Sequence, residues 1–401
     1  MSSSQNSLSW LVAALSSEGH LTSVLRILND REFKRRAARN ISQMRALRES
    51  DSSTKSNQSL FSLSRGIRET PPSHVEHYAI TAGCCGAHLT LNRYMDITPY
   101  DRTRVVVYDG SVGHGEQGQG RYLNASWVLE REGHKWWIAS QAPLERSTHA
   151  FLSVMLQSAI DLPYSSASFR SRVRTVVQLT RDIESGRRKA DPYFPSEVGM
   201  STIVAPDERH QAPALKVTLN ERRSIEEAHC IESIISITPV LDQVTQGWQG
   251  NETVEGGHQS VVFKHLHFLH WPDHGVPSPE DHKSLLTFIR FVDQSNRDPT
   301  EVDPDPPIIV GCSAGIGRTG TFIALSSLLR KYGFLQPAVR PSPASVISPS
   351  PLGSLPEDLQ TDEIAHEIDS LREQRPGMVE RREQILLIYE VLAGVSGLST
   401  R

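Results

Sequence analysis

The 401-residue chain has little cysteine, no C-x-x-C pair and no long apolar run. Its four cysteines are Cys84, Cys85, Cys230 and Cys312. Adjacent Cys84 and Cys85 are poor disulfide partners, and so few thiols cannot staple a chain this long, so a reducing compartment is expected. No histidine pair completes a zinc pattern, which argues against a structural metal. No stretch approaches membrane-spanning length. Residues 7–15 are apolar, but too short and without the preceding basic residue that a signal peptide carries. A net charge of −4 supplies no global field for nucleic acid or membrane surfaces. No internal repeat is evident. These absences together describe a soluble, intracellular protein with no nucleic-acid partner. The cytoplasm is the expected location, and the nucleus stays open because the basic run at Lys34 is a weak targeting signal.

Apolar content is 38%, below average, and charged content is 22%, near average, which fits a folded core with some polar, unpacked stretches. Residues 1–17 read as a flexible N-terminus. From residue 21 to 41, Leu21, Val24, Leu25, Leu28 and Phe33 recur at helical spacing. Lys34, Arg35, Arg36 and Arg39 then read as a solvated basic face. Residues 49–73 read as a disordered loop, polar and rich in serine at the start. Short β-branched runs follow at 105–108, 175–179, 261–268 and 308–310. The segment 336–360 is rich in proline and serine, so it can be neither a regular helix nor a central strand and reads as a disordered insert. Helical spacing returns at Ile364, Ile368 and Leu371, stops at Pro376-Gly377, and returns through Ile385, Ile388, Tyr389 and Leu392. Strands followed by helices predict an α/β domain on one mixed sheet.

The chemistry concentrates in Val310-Gly311-Cys312-Ser313-Ala314-Gly315-Ile316-Gly317-Arg318-Thr319-Gly320. A loop between a buried strand and a helix N-terminus turns successive N–H groups inward and adds the positive end of the helix dipole. Gly315 and Gly317 let the backbone bend. A cysteine at the loop's start sits in a field that favours the thiolate, the nucleophilic form. An arginine six residues on presents a planar fork for two phosphate oxygens. Cys and Arg at this spacing arise by chance for about one cysteine in twenty. The glycines, the Thr-Gly that follows, the strand before and the helix after make the combined pattern far more specific.

This loop resembles the signature of the cysteine-dependent, non-receptor protein tyrosine phosphatases. Other segments resemble that family in its own order: Asn92-Arg93-Tyr94-Met95-Asp96, Tyr122-Leu123-Asn124-Ala125-Ser126, Gln141-Ala142-Pro143, Glu184 to Lys189 with Tyr193-Phe194-Pro195, Trp271-Pro272-Asp273-His274-Gly275-Val276-Pro277, and Arg375-Pro376-Gly377-Met378-Val379. The resemblance implies a single catalytic domain over 18–398, with a central, highly twisted mixed β-sheet flanked by helices.

It also implies hydrolysis of phosphotyrosine in proteins through a phosphocysteine intermediate, without a cofactor. Cys312 would be the nucleophile, Arg318 the phosphate clamp and Asp273 the general acid and later base. Thr319 would support the departing thiolate, and Gln384 would position water. Ser313, Ala314, Gly315, Ile316 and Gly317 would cradle the phosphate. Tyr94 would stack on the substrate ring, and Asp96 would hold the peptide backbone. Glu184 would orient Arg318, Lys189 would contact the acid loop, and Trp271 and Pro272 would make that loop move as a unit.

Three positions depart from the family pattern. Gly311 replaces a histidine, Glu380 replaces the glutamine that positions water, and Met95 replaces a frequently charged residue. A carboxylate near phosphate repels it, so slower breakdown of the intermediate is expected from Glu380. The sequence leaves two other readings open: a phosphotyrosine-binding module that turns over weakly, and a dual-specificity or lipid phosphatase. Ile316 is neutral where lipid enzymes often carry a basic residue.

Overall fold

The computed structural model describes residues 8–17, 19–50, 70–108, 120–163, 169–207, 210, 212–240, 260–273 and 275–398. One nine-stranded sheet dominates the described residues. In chain order its strands are β1 (Arg104–Val107), β2 (Arg121–Leu129), β3 (Trp136–Gln141), β4 (Thr175–Gln178), β5 (Ser201–Val204), β6 (Ala214–Ile225), β7 (Cys230–Val240), β8 (Val261–Phe268) and β9 (Ile308–Cys312). Their spatial order is β1-β2-β3-β9-β4-β8-β7-β6-β5. Strands β3, β9, β4 and β8 run parallel in the middle, and the remaining pairs are antiparallel. The sheet is therefore mixed, as expected.

The helices are α1 (Ser9–Ser16), α2 (His20–Ser50), α3 (Thr148–Leu156), α4 (His282–Asn296), α5 (Gly317–Lys331), α6 (Glu363–Gln374) and α7 (Arg382–Val395). Because side chains alternate across a strand, each central strand feeds two cores. Ile308 and Val310 face the core shared with α4, α5, α6 and α7, while Ile309 faces the one shared with α3. Val177 and Val176, and Trp137 and Ile138, divide in the same way. Burial on both faces explains why β9 reads as a continuous apolar run.

The fold departs from the sequence reading at its margins. Residues 9–16 are a helix rather than a flexible end, and Leu11 is fully buried in the main core. Trp10 Nε1 donates to the Tyr332 hydroxyl at 2.8 Å. Helix α2 continues to Ser50, past the expected start of the 49–73 loop, and a short helix occupies Pro72–His77; residues 51–69 lie outside the described residues. The basic face of α2 is not uniformly solvated. Arg35 is fully buried and pairs with Asp369 and Glu373, both at 2.6 Å, and Arg39 pairs with Glu32, whereas Phe33 faces water. A buried guanidinium is tolerated because α6 brings it two carboxylates.

The insert at 336–360 is also ordered. Ile347, Leu355 and Leu359 are buried, and one-turn helices form at Ala344–Val346 and Glu357–Leu359. Trp136 Nε1 donates to Ser342 Oγ, and Arg31 donates to the Gly353 carbonyl, each at 2.8 Å. Proline removes donors from this segment, so donors on neighbouring elements satisfy its carbonyls instead.

Candidate active site

Strand β9 ends at Cys312 and α5 begins at Gly317, so the signature loop joins the centre of the sheet to a helix N-terminus. Cys312 pairs in register with Gln141 and is buried, with 6% of its surface exposed. The loop's carbonyls are drawn outward. Ala142 N donates to Cys312 O at 2.9 Å and to Ser313 O at 3.2 Å. Arg375 donates to Gly315 O at 2.7 Å and to Ala314 O at 3.1 Å. The Ile316 carbonyl accepts from Gly320 N and Val379 N. The amides of Ser313, Ala314, Gly315 and Ile316 make no backbone hydrogen bond among the described residues. Carbonyls committed outside and amides left to the inside make an anion cradle, reinforced by the helix dipole.

Gly315 is required on two counts. Its φ is +71°, and a Cβ there would lie 2.2 Å from the Ser140 carbonyl oxygen. Gly311 is confined as well, since a Cβ would come within 2.8 Å of the same oxygen.

Arg318 is locked by Glu184. Its Nη1 and Nη2 reach the two carboxylate oxygens at 2.7 and 2.8 Å, and they also donate to Leu179 O and Pro272 O. Burial acts to lower the Arg318 pKa, but the Glu184 hydrogen bonds and the nearby Cys312 and Asp273 outweigh it and hold the group above its ordinary value. Glu184 is itself fixed by Thr180 Oγ1 and Arg181 N. It sits on a short hairpin, Ile183–Glu184 paired with Arg187–Arg188, which also leads to Lys189.

Asp273 follows the buried Trp271 and the exposed Pro272. Its Oδ1 lies 3.2 Å from Lys189 Nζ and 3.7 Å from Arg318 Nη2. Burial pushes this carboxyl up, but hydrogen bonds from Ser185 and Lys189 and the Lys189 charge prevail and bring it down to about 2. Trp271 Nε1 donates to Gly275 O at 3.1 Å, which closes the acid loop on itself.

The Tyr94 hydroxyl lies 2.9 Å from Ser313 Oγ, and Ser313 Oγ donates to Lys189 O at 2.8 Å. These contacts gather the tyrosine loop, the signature loop and the Lys189 hairpin at one place. Asp96 is exposed and lies 3.7 Å from Arg36 of α2. Gln384 is buried at the start of α7, where its Oε1 accepts from Arg381 N. A Cβ built on Gly317 would lie 2.9 Å from Gln384 Nε2 and 3.3 Å from Glu380 Oε2, so both side chains reach the loop. The Thr319 hydroxyl is buried and makes no hydrogen bond among the described residues.

Arg375 and Gln141 are positioning residues that the sequence alone does not reveal. Arg375 is fully buried with no carboxylate partner among the described residues; burial lowers its pKa to about 10, against the opposing influence of Tyr122 and Cys312. Its bonds reach Ser126 and Asn124 as well as the loop. Gln141 accepts from Arg93 N and donates to Leu91 O, which fixes the segment leading to Tyr94. The signal for Arg375 was its place before Pro376-Gly377, where no helix explains a long cation.

Comparison with known proteins agrees with this geometry. A protein-tyrosine phosphatase family profile matches residues 88–333. That is more than half of the chain, so this chain belongs to the protein tyrosine phosphatase family. Among individual relatives, it is similar to rat tyrosine-protein phosphatase non-receptor type 20, 26% identical over 310 residues, covering 76% of this chain and 54% of the relative. It is also similar to rat non-receptor type 9, 28% identical over 348 residues, covering 84% and 46% respectively. Human non-receptor type 13 is 27% identical over 303 residues, 75% of this chain and 9% of that protein. The chain thus spans about half the length, or less, of these relatives. No helix among the described residues is long and apolar enough to cross a membrane.

Proposed function

We propose that this protein hydrolyses phosphotyrosine in protein substrates within the cell, in the cytoplasm, by a two-step route. The Cys312 thiolate attacks phosphorus, and the bond from phosphorus to the tyrosyl oxygen breaks. The signature-loop amides and the Arg318 fork stabilise the equatorial oxygens. Asp273 delivers its proton to the leaving oxygen. Water, placed by Gln384 and deprotonated by Asp273, then attacks the phosphocysteine. Phosphate leaves, and the thiolate is restored with support from Thr319. Tyr94 sets the pocket depth that a phosphotyrosine spans, and Asp96 holds the substrate backbone.

The observation that carries this reading is the convergence of Cys312, the outward-bonded loop carbonyls and an Arg318 fork fixed by Glu184. Asp273 is ionised while it faces Lys189 and Arg318. An arriving phosphate dianion takes up the Arg318 charge and repels the carboxylate, which favours the protonated acid that the first step needs.

One observation favours a slower enzyme that holds its substrate. Glu380 sets a carboxylate beside Gly317, where the family usually has glutamine. Phosphate release from a phosphotyrosyl and a matched phosphoseryl peptide, with wild type and Cys312→Ser, tests both readings. Sustained release from the tyrosyl peptide alone, lost in the variant, supports the enzyme. A burst of about one equivalent supports attack by Cys312 followed by stalled hydrolysis. Tight binding without release would overturn the enzyme reading.

A further inference from the structure

A cavity of about 540 Å³ opens beside the segment that carries Tyr94. Its wall includes Arg104 at the start of β1, Arg121 at the start of β2 and Arg146 just before α3. His88, His149 and His210 also line it, and Asp207 is the one carboxylate among its described lining residues. Among the described lining residues three guanidinium groups accompany one carboxylate, in a chain whose net charge is −4, so this is a local concentration of positive charge.

Two of the arginines are unspent. Arg104 and Arg146 make no side-chain ion pair or hydrogen bond among the described residues. Arg121 is built in: it is buried, and its Nη1 lies 2.7 Å from His149 Nδ1. A guanidinium only donates, so His149 Nδ1 accepts, and its Nε2–H donates to Pro213 O at 2.9 Å. His149 is thus a neutral ring that orients Arg121. One wall is flat, because the His88 ring stacks on Tyr122 with centroids 4.6 Å apart.

We propose that this cavity is a second anion site, separate from the Cys312 loop, that takes a small compound bearing two or more phosphate groups. Each unspent arginine fork engages two oxygens, so Arg104 and Arg146 together call for about four anionic oxygens, more than the three terminal oxygens of one phosphate monoester. The volume lies within the roughly 300–1,000 Å³ range of small-ligand sites. Multiply phosphorylated compounds occur free and as lipid headgroups, and both share this chemistry.

The site lies at the catalytic end of the sheet. Strand β3 ends at Gln141 beside Cys312, and β2 runs antiparallel to it with Ala125 opposite Ser140, so Arg121 lies at that same end. Leu91 lines the cavity, its carbonyl accepts from Gln141 Nε2, and Tyr94 is three residues further on. A bound polyanion therefore bears on the segment that sets the Tyr94 ring.

Titration calorimetry on the full chain tests this, with vanadate saturating the Cys312 loop and inositol hexakisphosphate as the probe. Binding should persist under vanadate and weaken by about tenfold or more in Arg104→Ser/Arg146→Ser, the scale of losing charged hydrogen bonds. The double variant should keep the wild-type rate on a small aryl phosphate, which shows that it folds. Co-sedimentation with vesicles containing phosphatidylinositol bisphosphate forms the second arm. Arginine-dependent binding of the vesicles alone assigns the site to a headgroup, and binding of the soluble probe assigns it to a free compound. Loss of binding under vanadate, unchanged binding in the double variant, or binding of neither probe would overturn the proposal.

Discussion

Glu184 grips Arg318 through two parallel bonds of 2.7 and 2.8 Å, and among the described residues no other carboxylate binds that fork as closely. The pair fixes the plane of the guanidinium, the plane in which the proposed mechanism has it meet a phosphate. Arg318 without its partner would keep its charge and lose its orientation.

Glu184→Gln should therefore lower kcat/KM for a phosphotyrosyl peptide by about tenfold to a hundredfold, the scale of a charged hydrogen bond. Because Thr180 and Arg181 also bond this side chain, the variant keeps their contacts through its amide oxygen. An unchanged rate on steady-state assay would show that the Arg318 plane is set elsewhere.

Gly311 is the departure with a steric test. A Cβ there meets the Ser140 carbonyl oxygen, a backbone atom in the adjoining strand, at 2.8 Å. Gly311→Ala should destabilise the fold by about 1–3 kcal/mol, the usual cost of overpacking. The midpoint of urea unfolding would fall while its slope stays constant. A variant as stable as wild type would mean that β9 and β3 separate without cost.

The centre of the molecule was legible in the sequence and its margins were not. Strand β9, its loop and α5 were readable because burial on both faces, two glycines and a helix start all act within a dozen residues. Helices α6 and α7 kept their apolar spacing on either side of Pro376-Gly377. The burial of Arg35 was hidden because its partners, Asp369 and Glu373, lie more than three hundred residues away. The insert was misread because its order rests on scattered anchors such as Leu359 and on donors from other elements. The long β6–β7 hairpin was passed over. Leu215, Val217 and Leu219 alternate as an inward face, but a bulge between Leu219 and Glu221 and a charged continuation break the pattern. Arg375 stands out in the sequence only by its place before Pro376-Gly377, and its bonds to Gly315 and Ala314 exist only in three dimensions.

Glu380 puts a carboxylate beside Gly317, on the loop where the proposed second step brings in water. Glu380→Gln removes that charge and leaves a side chain of the same shape. The second step should speed up, so the steady-state amount of phosphocysteine trapped by acid quench should fall and kcat should rise by several-fold, on the order of 1 kcal/mol of relieved repulsion. A higher level of trapped intermediate would mean that Glu380 assists hydrolysis.

Asp273 is held down to about 2 in the unliganded site, chiefly by Ser185 and Lys189 against the opposing effect of burial. The folded carboxyl thus stays ionised at every pH above that value, and the contacts favouring its charged form contribute stability above its ordinary carboxylate range. That contribution is lost as pH falls toward about 2. The proposed mechanism draws on the opposite form, since its first step needs the proton. Lys189→Met removes the cation 3.2 Å from Oδ1 and one of its hydrogen bonds, so the Asp273 pKa must rise. The protonated fraction at a given pH increases, and the alkaline limb of the kcat/KM profile should move to higher pH. In Asp273→Asn that limb should vanish and the rate should fall by about a hundredfold to ten-thousandfold, the usual worth of a general acid. The leaving group separates the acid role from a structural one. An aryl phosphate whose phenol is strongly acidic needs little protonation, so Asp273→Asn should lose far less rate on it than on phosphotyrosine. Equal losses on the two substrates would assign Asp273 to holding the loop rather than to proton transfer.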